Sequence, residues 1–125
     1  FQKTTDHNFE TAEAKVGEAL QNHGFGILTE IDLKNTFKNK LDKDIRPHKI
    51  LGACNPNFAF QAVSKEPQIS TLLPCNVTLA EKEDGKIEIT MMDPEAAFAL
   101  VDNEQVAPLA KEVKGILEQA LAEVS

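Results

Sequence analysis

The sequence predicts an α+β domain: a mainly antiparallel sheet packed on two long helices. Three observations carry that prediction. The strand-like stretches alternate apolar and polar residues, and none is the solid apolar run of a parallel sheet covered on both faces. Two segments, one near each end of the chain, repeat apolar residues at three- and four-residue steps over a helical length. A polar turn containing Asp84-Gly85 separates two alternating runs, the pattern of a hairpin. The chain has 125 residues, 42% of them apolar and 26% charged, which suits one domain over 1–125 and excludes a disordered chain.

The elements follow in order. Residues 1–5 form a short first strand. Asn8 caps a helix running to about His23, with Phe9, Ala12, Val16 and Leu20 on its apolar face, and Gly24 ends it. Residues 25–32 form a strand in which Phe25, Ile27, Thr29 and Ile31 alternate with Gly26, Leu28, Glu30 and Asp32. A short helix carries Leu33, Phe37 and Leu41, and the charged segment 42–46 before Pro47 is a loop. Residues 48–54 form a strand that ends at Asn55-Pro56, where Asn caps and Pro fits the first helical position. Phe58, Ala59, Ala62 and Val63 are the apolar face of that helix, which Glu66-Pro67 stops.

Residues 69–79 read as a further strand, with Leu73, Cys75, Val77 and Leu79 on one face and Pro74 marking an edge, bulge or start. Ile87, Ile89 and Met91 alternate in the returning strand. Asp93-Pro94 repeats the cap-then-proline signal and starts a short helix through Leu100. The last helix begins at Asp102 or Asn103 and runs its stripe from Val106 to Val124 along the core. The sheet face left uncovered by the helices must meet solvent, short helices or a second subunit, and a homodimer is the commonest cover.

The charge balance excludes some functions. Thirteen Lys and Arg against 20 Asp and Glu give −7, so a general phosphate-backbone surface, and with it nucleic acid as a partner, is disfavoured. No apolar run approaches the roughly 20 residues of a membrane helix, so no membrane partner is expected. No signal peptide is expected, although the chain opens at Phe1 and what precedes it is open. Cys54 and Cys75 do not make a disulfide scaffold or a zinc template. A single bridge between them is not readable from sequence, and reduced thiols in a cytoplasmic protein are the expectation.

Three strand-end stretches place polar groups beside prolines: Gly52-Ala53-Cys54-Asn55-Pro56-Asn57, Leu72-Leu73-Pro74-Cys75-Asn76-Val77 and Met91-Met92-Asp93-Pro94-Glu95. If the two Cys-Asn pairs lie on neighbouring strands, two thiols and two amides share a cleft able to hold a small ligand or a soft metal, or to work as a redox couple. Against this, a strand Cys is ordinarily a small buried hydrophobe, and Asn55 and Asp93 are ordinarily helix caps. Glu30 and Asp32 are a carboxylate pair suited to acid–base work or a hard cation, set against the simpler reading of a solvated face beside Lys34. Gly24-Phe25-Gly26 enters a strand and is no dinucleotide fingerprint.

Residues 24–32, Ile50-Leu51-Gly52-Ala53-Cys54-Asn55-Pro56, Leu72-Leu73-Pro74-Cys75-Asn76-Val77 and Met92-Asp93-Pro94 together resemble the domain-of-unknown-function family 302, over about Thr5 to Leu121 and with four motifs in the same order. The resemblance implies a TATA-binding-protein-like fold of β-α-β(4)-α order with short extra helices, and small prokaryotic proteins that tend to dimerise. It implies no activity and no cofactor. Fold does not carry function, so the likeness to a DNA-binding fold assigns none.

The expectation is therefore a dimeric small-ligand or metal-binding domain with its site at Cys54, Asn55, Cys75, Asn76 and Asp93. A thiol-dependent redox enzyme using Cys54 and Cys75, and a structural or partner-binding module with no site, stand as the alternatives.

Overall fold

Strand β1 (Gln2–Thr5) opens a computed structural model that describes residues 1–125. Helix α1 (Phe9–Asn22) follows, started by the Asn8 side chain accepting from the Thr11 N–H at 2.8 Å. Strand β2 (Gly26–Asp32) leads into α2 (Leu33–Leu41), and β3 (His48–Cys54) leads into α3 (Pro56–Lys65). After a 3₁₀ turn at Pro67–Leu72 come β4 (Cys75–Glu81), β5 (Ile87–Met91), α4 (Pro94–Phe98) and α5 (Ala107–Glu123). The five strands form one antiparallel sheet in the order β1-β5-β4-β3-β2. The α+β class, the antiparallel sheet and the helix order are those the sequence predicts.

Register decides which side chains meet. Leu51 lies opposite Val77 and Val77 opposite Met91, while Leu79 is opposite Ile89 and Ala53 opposite Cys75. These side chains share one face and all are buried. Ala12, Val16, Ala19 and Leu20 of α1 and Val113, Leu117, Ala120 and Leu121 of α5 close over that face as the main core. Full burial of each Leu, Ile or Val here contributes about 1.5–3 kcal/mol, against about 1 kcal/mol for a helix cap. The layer of two helices on a sheet therefore carries more of the stability than the local signals that begin its helices.

A second, smaller cluster joins Ala62 of α3, Ile69 of the 3₁₀ turn, Phe98 of α4, and Val106, Leu109 and Ala110 at the start of α5. Phe58 packs against both clusters. The seam between them lies where β3 and β4 meet α3, beside both cysteines.

Three expectations need correction. Residues 69–73 are not strand: Ser70 Oγ donates to the Pro67 carbonyl at 2.9 Å and Thr71 Oγ1 to that of Gln68 at 3.0 Å. Hydroxyls bonded three residues back favour the 3₁₀ turn over an extended ladder, so β4 begins only at Cys75. Alternation in β2 is broken by an irregularity between Ile27 and Thr29. Ile27 consequently shares the helix face with Ala53, while Thr29 and Ile31 fall on the outer face opposite Gly52 and Ile50. Asn103 does not start the last helix. Its Oδ1 accepts from the Gln105 N–H at 2.9 Å and closes a separate turn, and α5 starts four residues later with Pro108 in its first turn.

Candidate functional site

Cys54 is the last residue of β3, and Cys75 is the first of β4. Because Ala53 pairs with Cys75, the two thiols are brought to the same end of the same strand pair. Strict alternation would send Cys54 to the outer face. The chain leaves the sheet there for α3, however, and both cysteines line one cavity. Its other walls are Phe25, Ala53, Asn55, Phe58, Ala59, Ala62, Leu73, Phe98, Leu109 and Val113. The cavity occupies about 20 Å³, room for about one water-sized occupant. Cys54, Asn55, Phe58, Ala59 and Leu73 are half-buried, so the mouth opens between α3 and the approach to β4.

Neither cysteine is in a disulfide. Burial pushes the Cys75 thiol up to about 11, with a further push from the neighbouring Cys54. Burial also pushes Cys54 up. Two neighbouring thiols that stay protonated are the reverse of the activated thiolate a redox nucleophile needs.

Asn55 has two duties. Its Oδ1 caps α3, accepting from the N–H groups of Asn57 at 3.1 Å and Phe58 at 3.3 Å. Its amide nitrogen abuts the α1–β2 turn, where a Cβ on Gly24 would come within 3.0 Å of it. Gly24 has φ +82°, the left-handed region that favours glycine, and a Cβ there would in addition press on that amide. The cap thus holds the cavity's rim in place.

Asn76 and Asp93 lie outside the lining. Asn76 pairs with Gly52, and its exposed side chain is on the outer face. Its main-chain carbonyl accepts from the Met92 N–H at 3.0 Å, tying β4 to the residue before Asp93. Asp93 caps α4 through the N–H groups of Glu95 (2.9 Å) and Ala96 (3.3 Å) and pairs with Lys114 Nζ at 3.0 Å. Burial raises its carboxyl, but the Lys114 ammonium and the two N–H donors outweigh that and hold it below the usual range.

The Glu30 and Asp32 carboxylates are likewise engaged. Lys49 Nζ lies 2.8 Å from Glu30 and 3.1 Å from Glu13, and Asp32 Oδ1 caps α2 through the Asn35 N–H at 3.0 Å. No three His, Cys, Asp or Glu side chains come together to hold a metal ion.

What sequence reasoning missed at the cavity is its far wall. Phe98, Leu109 and Val113 arrive from α4 and α5, and Lys114 as the partner of Asp93 comes from the same helix. The apolar face of α3 (Phe58, Ala59, Ala62) was readable as helical periodicity, but not as the wall of a cavity.

A family model described as Domain of unknown function DUF302 matches residues 1–124. No curated protein matches the chain. A crystal structure of an uncharacterized conserved protein DUF302 from Bacillus stearothermophilus is similar in fold, with a TM-score of 0.90. The match covers 100% of this chain and 98% of that one at 20% sequence identity. No helix is long and apolar enough to cross a membrane.

Proposed function

The chain belongs to the DUF302 family, a membership that carries no activity, and we propose from its geometry that the domain binds a small ligand at the sheet rim. The site is the cavity lined by Cys54, Asn55 and Cys75. One observation carries this reading: two unbridged thiols share an apolar cavity whose mouth is half-open. A cavity of about 20 Å³ suits a single atom or small group, so an extended substrate reaches it only by one end. Asn55 supplies the polar group at the rim, and the satellite cluster under α3 supplies the opposite wall.

Xenon, a monatomic apolar probe, tests the reading. Backbone and methyl NMR shifts on xenon addition are expected at Phe25, Cys54, Phe58, Leu73 and Cys75. Ala59→Leu, which fills the cavity from α3, should abolish them. Shifts confined to other parts of the molecule, or none at all, would reject the site.

The working form in this reading is a homodimer. Support comes from the outer sheet face, whose side chains include only one carboxylate, Glu88, in a chain of net charge −7.

A further inference from the structure

We propose that Cys54 and Cys75 form a two-coordinate site for a soft monovalent metal ion, Cu(I), held between their sulfurs in the cavity they share. The proposal rests on the ligand-site reading above and names its occupant. Four facts favour this class of ligand. No third His, Cys, Asp or Glu joins the thiols, so a tetrahedral zinc shell or an oxygen shell for a hard cation is lacking. Soft thiolates select Cu(I), and closed-shell monovalent ions accept two ligands in a line. The volume of about 20 Å³ matches one ion better than an organic molecule. The remaining walls, chiefly Phe25, Phe58 and Leu73, are apolar and limit water and competing oxygen ligands.

Binding breaks two S–H bonds and forms two S–Cu bonds. Both protons pass to solvent, and the copper enters and remains as Cu(I), so no oxidant or reductant takes part. The bis-thiolate carries one net negative charge. Cys54 is half-exposed, so part of that charge is solvated. Empty, the thiols stay protonated, since burial raises both. Release of two protons makes apparent affinity rise about 100-fold per pH unit while both thiols remain protonated.

The test is an anaerobic titration of the reduced full chain with Cu(I) against a chromophoric chelator. One ion per chain is expected, with two sulfur neighbours in the X-ray absorption spectrum and the two-proton pH slope. Cys54→Ser and Cys75→Ala should each lower affinity by more than about 100-fold, beyond what a second-shell loss costs. Cys54→Ser alone suffices if Cys75→Ala fails to fold. Failure of the unaltered chain to take Cu(I) from the chelator overturns the proposal. So does full binding by the folded variants, or a shell with three or more sulfurs. Xenon shifts that persist without Cu(I) binding reject the ion and leave the ligand cavity standing, whereas loss of both rejects the two readings together.

Discussion

Gly52 owes its identity to space. A Cβ there would fall on Thr29 Oγ1 and lie 2.6 Å from Pro74 Cγ, and no positive φ is involved. The residue sits two positions before Cys54, and Pro74 sits one before Cys75. Gly52→Ala should destabilise the fold by about 1–3 kcal/mol, as overpacking does. Urea unfolding measures it, and an unchanged midpoint would mean that Thr29 rotates away and the backbone around Pro74 shifts to make room. Asp93 gives the residue scale a pH signature. Its folded carboxyl is held low, so its contribution to stability is complete above the unfolded value, about pH 4, and is lost as pH falls through the lower folded value. Acid unfolding of Asp93→Asn should therefore lack that part of the pH dependence. Superimposable acid profiles for the two proteins would show that the Lys114 pairing contributes nothing.

At the scale of elements, α3 is both a helix and the wall of the cavity. Asn55→Ala removes the acceptor for the Asn57 and Phe58 N–H groups and should cost about 1 kcal/mol by thermal unfolding. Asn55→Asp keeps the acceptor and should recover most of that loss; equal destabilisation by both changes would place the effect in the contact with the Gly24 turn. That α3 starts at Asn55-Pro56, and α4 at Asp93-Pro94, was legible because a cap is a local event between residues two or three apart. The layer order was legible for a similar reason, since period and turn chemistry are local. Ile69 was misread because its apolar character suits a strand and a buried turn equally, and the deciding hydroxyl bonds of Ser70 and Thr71 leave no mark on periodicity. The irregularity in β2 was hidden because it depends on the partner strand. The thiol pair was legible as two strand-end motifs. Its far wall was not, since Phe98 and Val113 reach it only through the packing of α4 and α5.

For the whole molecule, the outer face of the sheet is the surface that the proposed homodimer would use. Edge pairing is poorly served. Strand β1 has four residues, and β2 carries its irregularity at Ile27/Thr29, a device that blunts strand addition. The face itself offers Thr29, Ile31, Ile50, Thr78 and Thr90, with Glu88 as its carboxylate and His48 as its one further titratable group. Two chains of net charge −7 repel wherever their acidic surfaces approach, and they repel least across this nearly uncharged face. Electrostatics therefore favour the sheet face over the helices as the contact of the homodimer proposed above. Thr78 is central to the test, because it lies opposite Ile50 on one side and Thr90 on the other. Light scattering behind size-exclusion chromatography should give a dimer for the unaltered chain and a monomer for Thr78→Glu, with melting of the isolated chain little changed because the side chain is outside the core. Added salt should tighten the dimer slightly by screening the acidic rims. A monomer at all accessible concentrations, or a Thr78→Glu dimer of unaltered affinity, would move the contact elsewhere. Because the cavity opens between α3 and the approach to β4, and Thr78 faces away from the main core, pairing through the sheet would leave the thiols accessible in the dimer.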